Sequence, residues 1–408
     1  MRQRLTHITA AMAIGLAGIG AAVLPAAVHA QAVRPEIGKP LQAAQELIRA
    51  QRFKEALAKV READAVPNKS AGESSLIERM RIAAASGAGD VETAARSFEA
   101  IGGQVSAAER LRMIESLAGG YYRAKEYGKA QQWGQRYFKE GGTSPAIRTL
   151  LIQSQYLAGD FAGAARELRT ETEQAERAGS APGEDRLKLL VNATLKLNDT
   201  NGYVWALERL VTYYPKKEYW VDLLARLQRK PNFSDRLALD TYRLSLATGS
   251  MTQANDYMEM AQLAVQAGSP AEAKQVLDKG FEAKVLGQGA EAERQKRLRD
   301  LVQKRLDEDK TNQAANIAEA QEAKDGSALV NAGMNLVFSG DKQKGLQLMQ
   351  QGIAKGNLKR ADDAKLHLAI AQIMAGESGK AQATLRTVTG NDGTADLARL
   401  WALYAKRK

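Results

Sequence analysis

The stretch from Leu117 to Leu168, LAGGYYRAKEYGKAQQWGQRYFKEGGTSPAIRTLLIQSQYLAGDFAGAAREL, states one pattern twice. Leu117, Tyr127 and Ala130 return as Leu151, Phe161 and Ala164, each 34 residues on. A fixed period of this length means that one helix–turn–helix unit is repeated. Each unit then buries its apolar face against its neighbours rather than in a central core. The small residue of each pair, Ala130 or Ala164, lets two helices approach closely. The aromatic before it, Tyr127 or Phe161, covers the turn.

The same pattern can be followed along the chain. The small positions run Ala56, Ala94, Ala130, Ala164, Ala206, Ala273, Ala314, Gly345 and Ala381, with Arg236 standing where another small residue belongs. Gly89-Asp90, Gly268, Gly340-Asp341 and Gly376 read as the turns within the hairpins. The longest polar break is ERAGSAPGED, residues 176–185, and it reads as a flexible joint. Residues 290–324 are charged throughout and read as a surface helix pair with Leu298, Leu301, Val302 and Leu306 facing inward. Leu397, Leu400, Trp401 and Tyr404 share one face of a last helix, as expected of a cap on an array.

The period, the close-packing small residue and the turn-covering aromatic resemble the tetratricopeptide repeat (TPR). The resemblance covers nearly all of the chain beyond residue 30, with departures. The tryptophan expected early in each first helix is missing, and the Leu-Gly pair becomes Leu117-Ala118, Met260-Ala261 and Leu368-Ala369. The fold it implies is all-α, a right-handed TPR-like α-solenoid of about ten hairpins. Units one to four occupy 31–178, a joint 179–186, units five to ten 187–390, and a C-terminal capping helix 391–408.

The resemblance also implies a non-catalytic scaffold or adaptor that holds a partner protein or extended peptide in a concave groove. In such repeats the first helix lines that groove at its second, fifth, ninth and twelfth positions. On unit three these are Arg112, Glu115, Gly119 and Tyr122, with Arg123 beside them. On unit four they are Ala146, Thr149, Gln153 and Tyr156. Glu115 and Gly119 stand where a carboxylate clamp of the chaperone-binding kind needs Lys and Asn, so that specialised function is disfavoured.

The first thirty residues read as an export signal. Arg2 and Arg4 precede an apolar run from Ala10 to Leu24, Pro25 breaks it, and Val28-His29-Ala30 places small residues at a cleavage site before Gln31. The run is shorter than the roughly 20 residues of a membrane span, so no transmembrane anchor is expected after processing. With an Ala-rich composition that reads as bacterial, the expected location is the periplasm. Envelope machines, such as TonB-type complexes or outer-membrane assembly, are then expected settings by analogy.

Beyond residue 30 there remain 56 basic against 47 acidic side chains. The excess is dispersed among acids and reads as solvated helix faces, with some attraction for an acidic partner. No nucleic-acid motif is present. Cysteine is absent and His367 is the one histidine left after cleavage. Ser-His-Asp, Cys-His and zinc sites therefore cannot be assembled in one chain, and no cofactor is expected. Gly287-Gln288-Gly289 lacks the third glycine and preceding strand of a dinucleotide loop and reads as a turn between repeats.

Aromatics are concentrated: 17 of 23 lie between Tyr121 and Tyr257. In the doublets Tyr121-Tyr122 and Tyr213-Tyr214 the two side chains point about 100° apart on a helix, so one of each should face a groove or solvent. Carboxylates and stacked aromatics in one groove would alternatively suit a binder or hydrolase of envelope glycan.

Overall fold

The computed structural model describes residues 33–407, and the export signal read over residues 1–30 lies outside them. Among the described residues the secondary structure is helical, twenty α-helices and two short 3-10 turns with no strand. The chain is an all-α, TPR-like α-solenoid of helical hairpins. It divides into two compact units, one ending at Ser154 and the other beginning at Gln155. The division falls within a helix rather than at the polar break of residues 176–185.

The first unit holds α1 (Pro35–Arg49), α2 (Phe53–Asp64), α3 (Ala71–Ala88), α4 (Val91–Ile101), α5 (Ala107–Arg123), α6 (Tyr127–Lys139) and most of α7 (Pro145–Leu157). Each of α1–α2, α3–α4 and α5–α6 packs as an antiparallel pair. One residue in the left-handed region reverses the chain within each: Gln51, Gly89 and Lys125. The next residue begins the second helix, and where it is aspartate its carboxylate caps the new N-terminus. Asp90 thus accepts a 3.1 Å hydrogen bond from the Thr93 N–H. The left-handed residue followed by Asp recurs at Gly159-Asp160, Asn198-Asp199 and Gly340-Asp341.

Entry to α3 is a capping box. Ser70 Oγ accepts from the Glu73 N–H at 3.2 Å, and the Glu73 carboxylate accepts from the Ser70 N–H at 2.9 Å. The same carboxylate receives the Arg34 backbone N–H and its guanidinium, at 3.0 to 3.1 Å. Glu73 thereby ties the start of α1 to the start of α3. These bonds, the Arg34 guanidinium foremost, pull its pKa down to about 2.

The second unit holds α8 (Phe161–Arg177), α9 (Glu184–Lys196), α10 (Thr200–Tyr213), α11 (Lys217–Gln228), α12 (Ala238–Thr248), α13 (Ala254–Gln266) and α14 (Pro270–Glu282). It continues with α15 (Ala292–Glu322), α16 (Ser327–Ser339), α17 (Lys342–Lys355), α18 (Ala361–Met374), α19 (Ser378–Leu385) and α20 (Thr394–Ala405). The expected small positions Ala56, Ala94, Ala130, Ala164, Ala206, Ala273 and Ala381 are fully buried. Ala314 is exposed, because residues 292–322 form one 31-residue helix and not a pair. Its inner stripe is Leu298, Val302 and Leu306; Leu301, expected to face inward, is 46 % exposed.

Closest approach occurs between α16 and α17. A Cβ on Gly333 would lie 2.5 Å from the Gly345 carbonyl oxygen, and one on Gly326 would lie 1.7 Å from that of Gly352. The two pairs are in antiparallel register, and only residues without a side chain let the backbones touch there.

The last helix, α20, packs on α19 and α18 and reaches α10 and α12, far back in the chain. Arg399 pairs with Glu208, and Lys230 reaches Asp396 at 2.7 Å. The Ser234 N–H donates to the Asp392 carbonyl at 2.9 Å, and the Arg236 guanidinium binds Asp392 and, at 3.0 Å, Asp363. One continuous apolar core runs from Leu187 on α9 through Trp220 on α11 and Met334 on α16 to Trp401 on α20. The second unit therefore closes on itself, and much of what an open solenoid would leave as groove is filled.

The polar break before α9 is tied at three points. Tyr214 donates to the Pro182 carbonyl at 2.8 Å, Lys216 pairs with Glu184 at 2.5 Å, and the Tyr219 hydroxyl donates to Glu184. Both members of the Tyr213-Tyr214 doublet are half-buried in this arrangement, since Tyr213 donates to Glu176 at 3.2 Å.

Candidate functional site

The face of α5 carries Arg112, Glu115, Gly119, Tyr122 and Arg123 at the 3-, 4- and 7-residue spacings that place side chains together on a helix. Arg112 and Arg123 are exposed, and among the described residues neither enters an ion pair. Other arginines of this unit do: Arg79 lies 3.3 Å from Glu109 and Arg110 lies 2.6 Å from Glu140. Glu115 is half-buried between the two free guanidinium groups along the helix. Gly119 leaves room for the Arg123 guanidinium to fold back over it, since a Cβ there would lie 3.3 Å from that group.

Tyr122 is half-buried. Its ring meets Tyr127 edge-on, with centroids 5.6 Å apart, and its hydroxyl donates to Gln153 on α7 at 3.1 Å. Burial, and then the Tyr127 hydroxyl, push the Tyr122 phenol above its ordinary value. Thr149 and Gln153 are half-buried on α7, and Ala146 is exposed one turn earlier. The hydroxyl-to-amide bond fixes the spacing of α5 and α7 at this point, and a shallow polar surface flanked by two cations results.

Tyr156 belongs to the second unit. It repeats the local arrangement, its ring edge-on to Phe161 at 5.2 Å. In both hairpins the tyrosine near the end of the first helix packs on the aromatic that opens the second. Each ring thus stabilises its own turn.

Two kinds of site were not found from the sequence. The first is cation–aromatic stacking on the second helices. Arg169 and Arg209 lie over the Trp205 ring at 4.6 and 3.7 Å, and Arg136 lies 4.8 Å from Phe98 and 5.0 Å from Trp133. The signal was available as Trp followed by Arg three or four positions on, which is one helix face. These contacts account for aromatics that a groove would otherwise be asked to explain.

The second is a buried charge cluster in the second unit. Arg243 on α12 makes two 2.6 Å bonds to Glu272 on α14 and one of 2.6 Å to Asp240, and His367 on α18 lies 3.1 Å from Asp240. Arg243, Asp240 and Glu272 are all buried. Burial alone would push the Asp240 carboxyl up, but the charges and hydrogen bonds of His367 and Arg243 outweigh it and hold it well below the usual range. No signal in the sequence joins residues so far apart. The cluster is enclosed and fully paired, which suits a structural role.

Among the described residues no group of three or more His, Asp or Glu side chains is arranged to hold a metal ion. No helix of the described residues is long and apolar enough to cross a membrane.

No protein-family model matches the chain, and no curated protein matches it. Solved structures that the chain matches include the TPR2AB domain of yeast Sti1 in complex with pHSP90. It is 12 % identical, over 73 % of this chain and 99 % of that one, with a TM-score of 0.24. Yeast Tom70 is 11 % identical over 91 % and 96 % of the two chains, at 0.25. The Naa15/Naa10 structure bound to HypK-THB is 15 % identical over 88 % and 59 %, at 0.32. Likenesses of this size assign neither partner nor activity. By its own hairpin geometry the chain is a TPR-like helical repeat protein.

Proposed function

We propose that the chain is an exported, non-catalytic adaptor that holds an acidic or carboxylate-ended segment of a partner protein on the α5–α7 face of its first unit. The observation that carries this reading is the pair of exposed, unpaired guanidinium groups of Arg112 and Arg123. They flank Tyr122, whose hydroxyl is anchored to Gln153. Planar guanidinium groups bind carboxylates through two parallel hydrogen bonds. Arginine and tyrosine together are frequent anchors of recognition. The leader-like residues 1–30 support a periplasmic setting, and an envelope complex is the corresponding physiological context.

The test is titration of a fluorescent acidic decapeptide with a free C-terminal carboxylate, followed by anisotropy. The Arg112→Glu, Arg123→Glu double variant should bind about tenfold more weakly or worse, with an unchanged melting temperature, because both side chains are exposed. Equal binding by variant and wild type would overturn the site. Cleavage before Gln31 in a secreted preparation tests the location separately.

A further inference from the structure

The long helix α15 carries a charge pattern that the adaptor reading does not use. From Ala292 to Arg305 it has six basic side chains against Glu293 and Asp300, a net charge of +4. From Leu306 to Glu322 it has Asp307, Glu308, Asp309, Glu319 and Glu322 against Lys310, a net charge of −4. Nearly all of these side chains are exposed, the inward stripe being Gln295, Leu298, Val302, Leu306 and Ala320.

This order opposes the helix's own electrostatics. The N-terminal end of a helix carries a partial positive charge and favours acids, and the C-terminal end favours bases. In α15 the bases sit first and the acids last. Intrahelical pairing relieves little of it: Arg305 lies 3.0 Å from Glu308 at the junction of the halves, and Arg294 pairs at 3.2 Å with Glu291 just before the helix. Lys296, Arg297, Lys304, Glu319 and Glu322 enter no ion pair among the described residues. A partner with the opposite order of charge would match the surface along its length, about 46 Å at 1.5 Å per residue.

A second copy of α15 laid antiparallel supplies that order. We infer that the outer face of α15 is a two-fold interface between two copies of this chain, the basic half of each lying against the acidic half of the other. An isologous contact of this kind uses one surface twice and closes without further growth. Between the charged side chains it also carries the exposed Leu301 in the basic half and the exposed Ala315 and Ala318 in the acidic half. These small side chains let two helices approach closely. The complementary charges set orientation and exclude the parallel arrangement, where like would meet like.

Two charge-reversed chains test this. The first carries Lys296→Glu, Arg297→Glu and Lys304→Glu; the second carries Asp307→Lys, Glu319→Lys and Glu322→Lys. Each set improves the match of α15 to its own dipole, so loss of association cannot be traced to a weakened helix. By sedimentation velocity the wild-type chain should dimerise, with affinity falling about tenfold or more between low and high salt. Each variant alone should be monomeric, and an equimolar mixture should re-form a one-to-one dimer, since a helix of net charge −6 then meets one of net charge +6. A wild-type chain that stays monomeric at about 100 µM, where even a weak specific contact registers, overturns the inference. So does a dimer that survives both reversals, or a mixture that fails to associate.

Discussion

The two units of this chain begin from the same hairpin and finish differently. In the first, helix contacts among the described residues run between elements one or two apart in order, as α1 with α2 and α3, and α3 with α5. In the second, α20 returns to α10 and α12, and Arg399 pairs with a glutamate 191 positions earlier. The first unit keeps the first-helix face of α5 accessible, with two unpaired arginines on it. The second fills its interior with Trp220, Met334 and Trp401 and adds a buried charge cluster. A repeat that packs only on its neighbours leaves a surface for others to bind, whereas one that closes uses that surface on itself. On the proposed reading, recognition belongs to the first unit and cooperative stability to the second.

The strongest way to break this comparison is Trp401→Ala. Truncating a buried tryptophan costs about 3–5 kcal/mol. In an open array the damage would stay with α18 to α20. Closure spreads it, so amide hydrogen exchange should accelerate in α10 and α12 as well. Exchange that rises only in the last three helices would show that the closing contacts contribute little.

Arg243→Met comes next. It leaves the Glu272 carboxylate buried without its cation and Asp240 with His367 alone, and breaking a buried ion pair in this way costs about 3–5 kcal/mol. The deficit in urea unfolding should shrink as pH falls, because the Asp240 carboxyl, no longer held low by Arg243, can protonate and become neutral. A deficit independent of pH would mean that lost packing, and not charge, is responsible.

The smallest effect belongs to the first unit. The carboxyl of Glu73 is held at about 2 against an ordinary 4.5. A depressed carboxylate contributes stability that is present above its unfolded pKa and lost as pH falls through its folded one. Wild type should therefore lose stability between pH of about 4.5 and about 2, and Glu73→Gln should lose less over that window. Parallel pH profiles in calorimetry would remove the Arg34–Glu73 tie from the account of how α1 is held.

Much of the local architecture was legible in the residues. Ala94, Ala130 and Ala164 are buried where the repeat pattern placed them, and the turns at Gly89-Asp90 and Gly340-Asp341 reverse the chain with a left-handed residue and an aspartate cap. These features depend on groups only a few positions apart. The candidate site was legible in part: the α5 residues share a face because helical spacing requires it, while the Tyr122 bond to Gln153 depends on how two helices dock. The Tyr213-Tyr214 doublet misled because Tyr213, Tyr214 and Tyr219 secure the segment before α9, a use that no periodicity shows.

What the sequence by itself determined is the repeat: its period, its small and aromatic positions and its helical class, all set by backbone sterics and short-range packing. What only the tertiary structure decided is closure. The small angle between successive hairpins accumulates along an array, so whether α20 meets α10 depends on the sum of many packing contacts. No single residue encodes that sum. Arg399 and Glu208, or Arg243 and Glu272, become partners only after it has been taken.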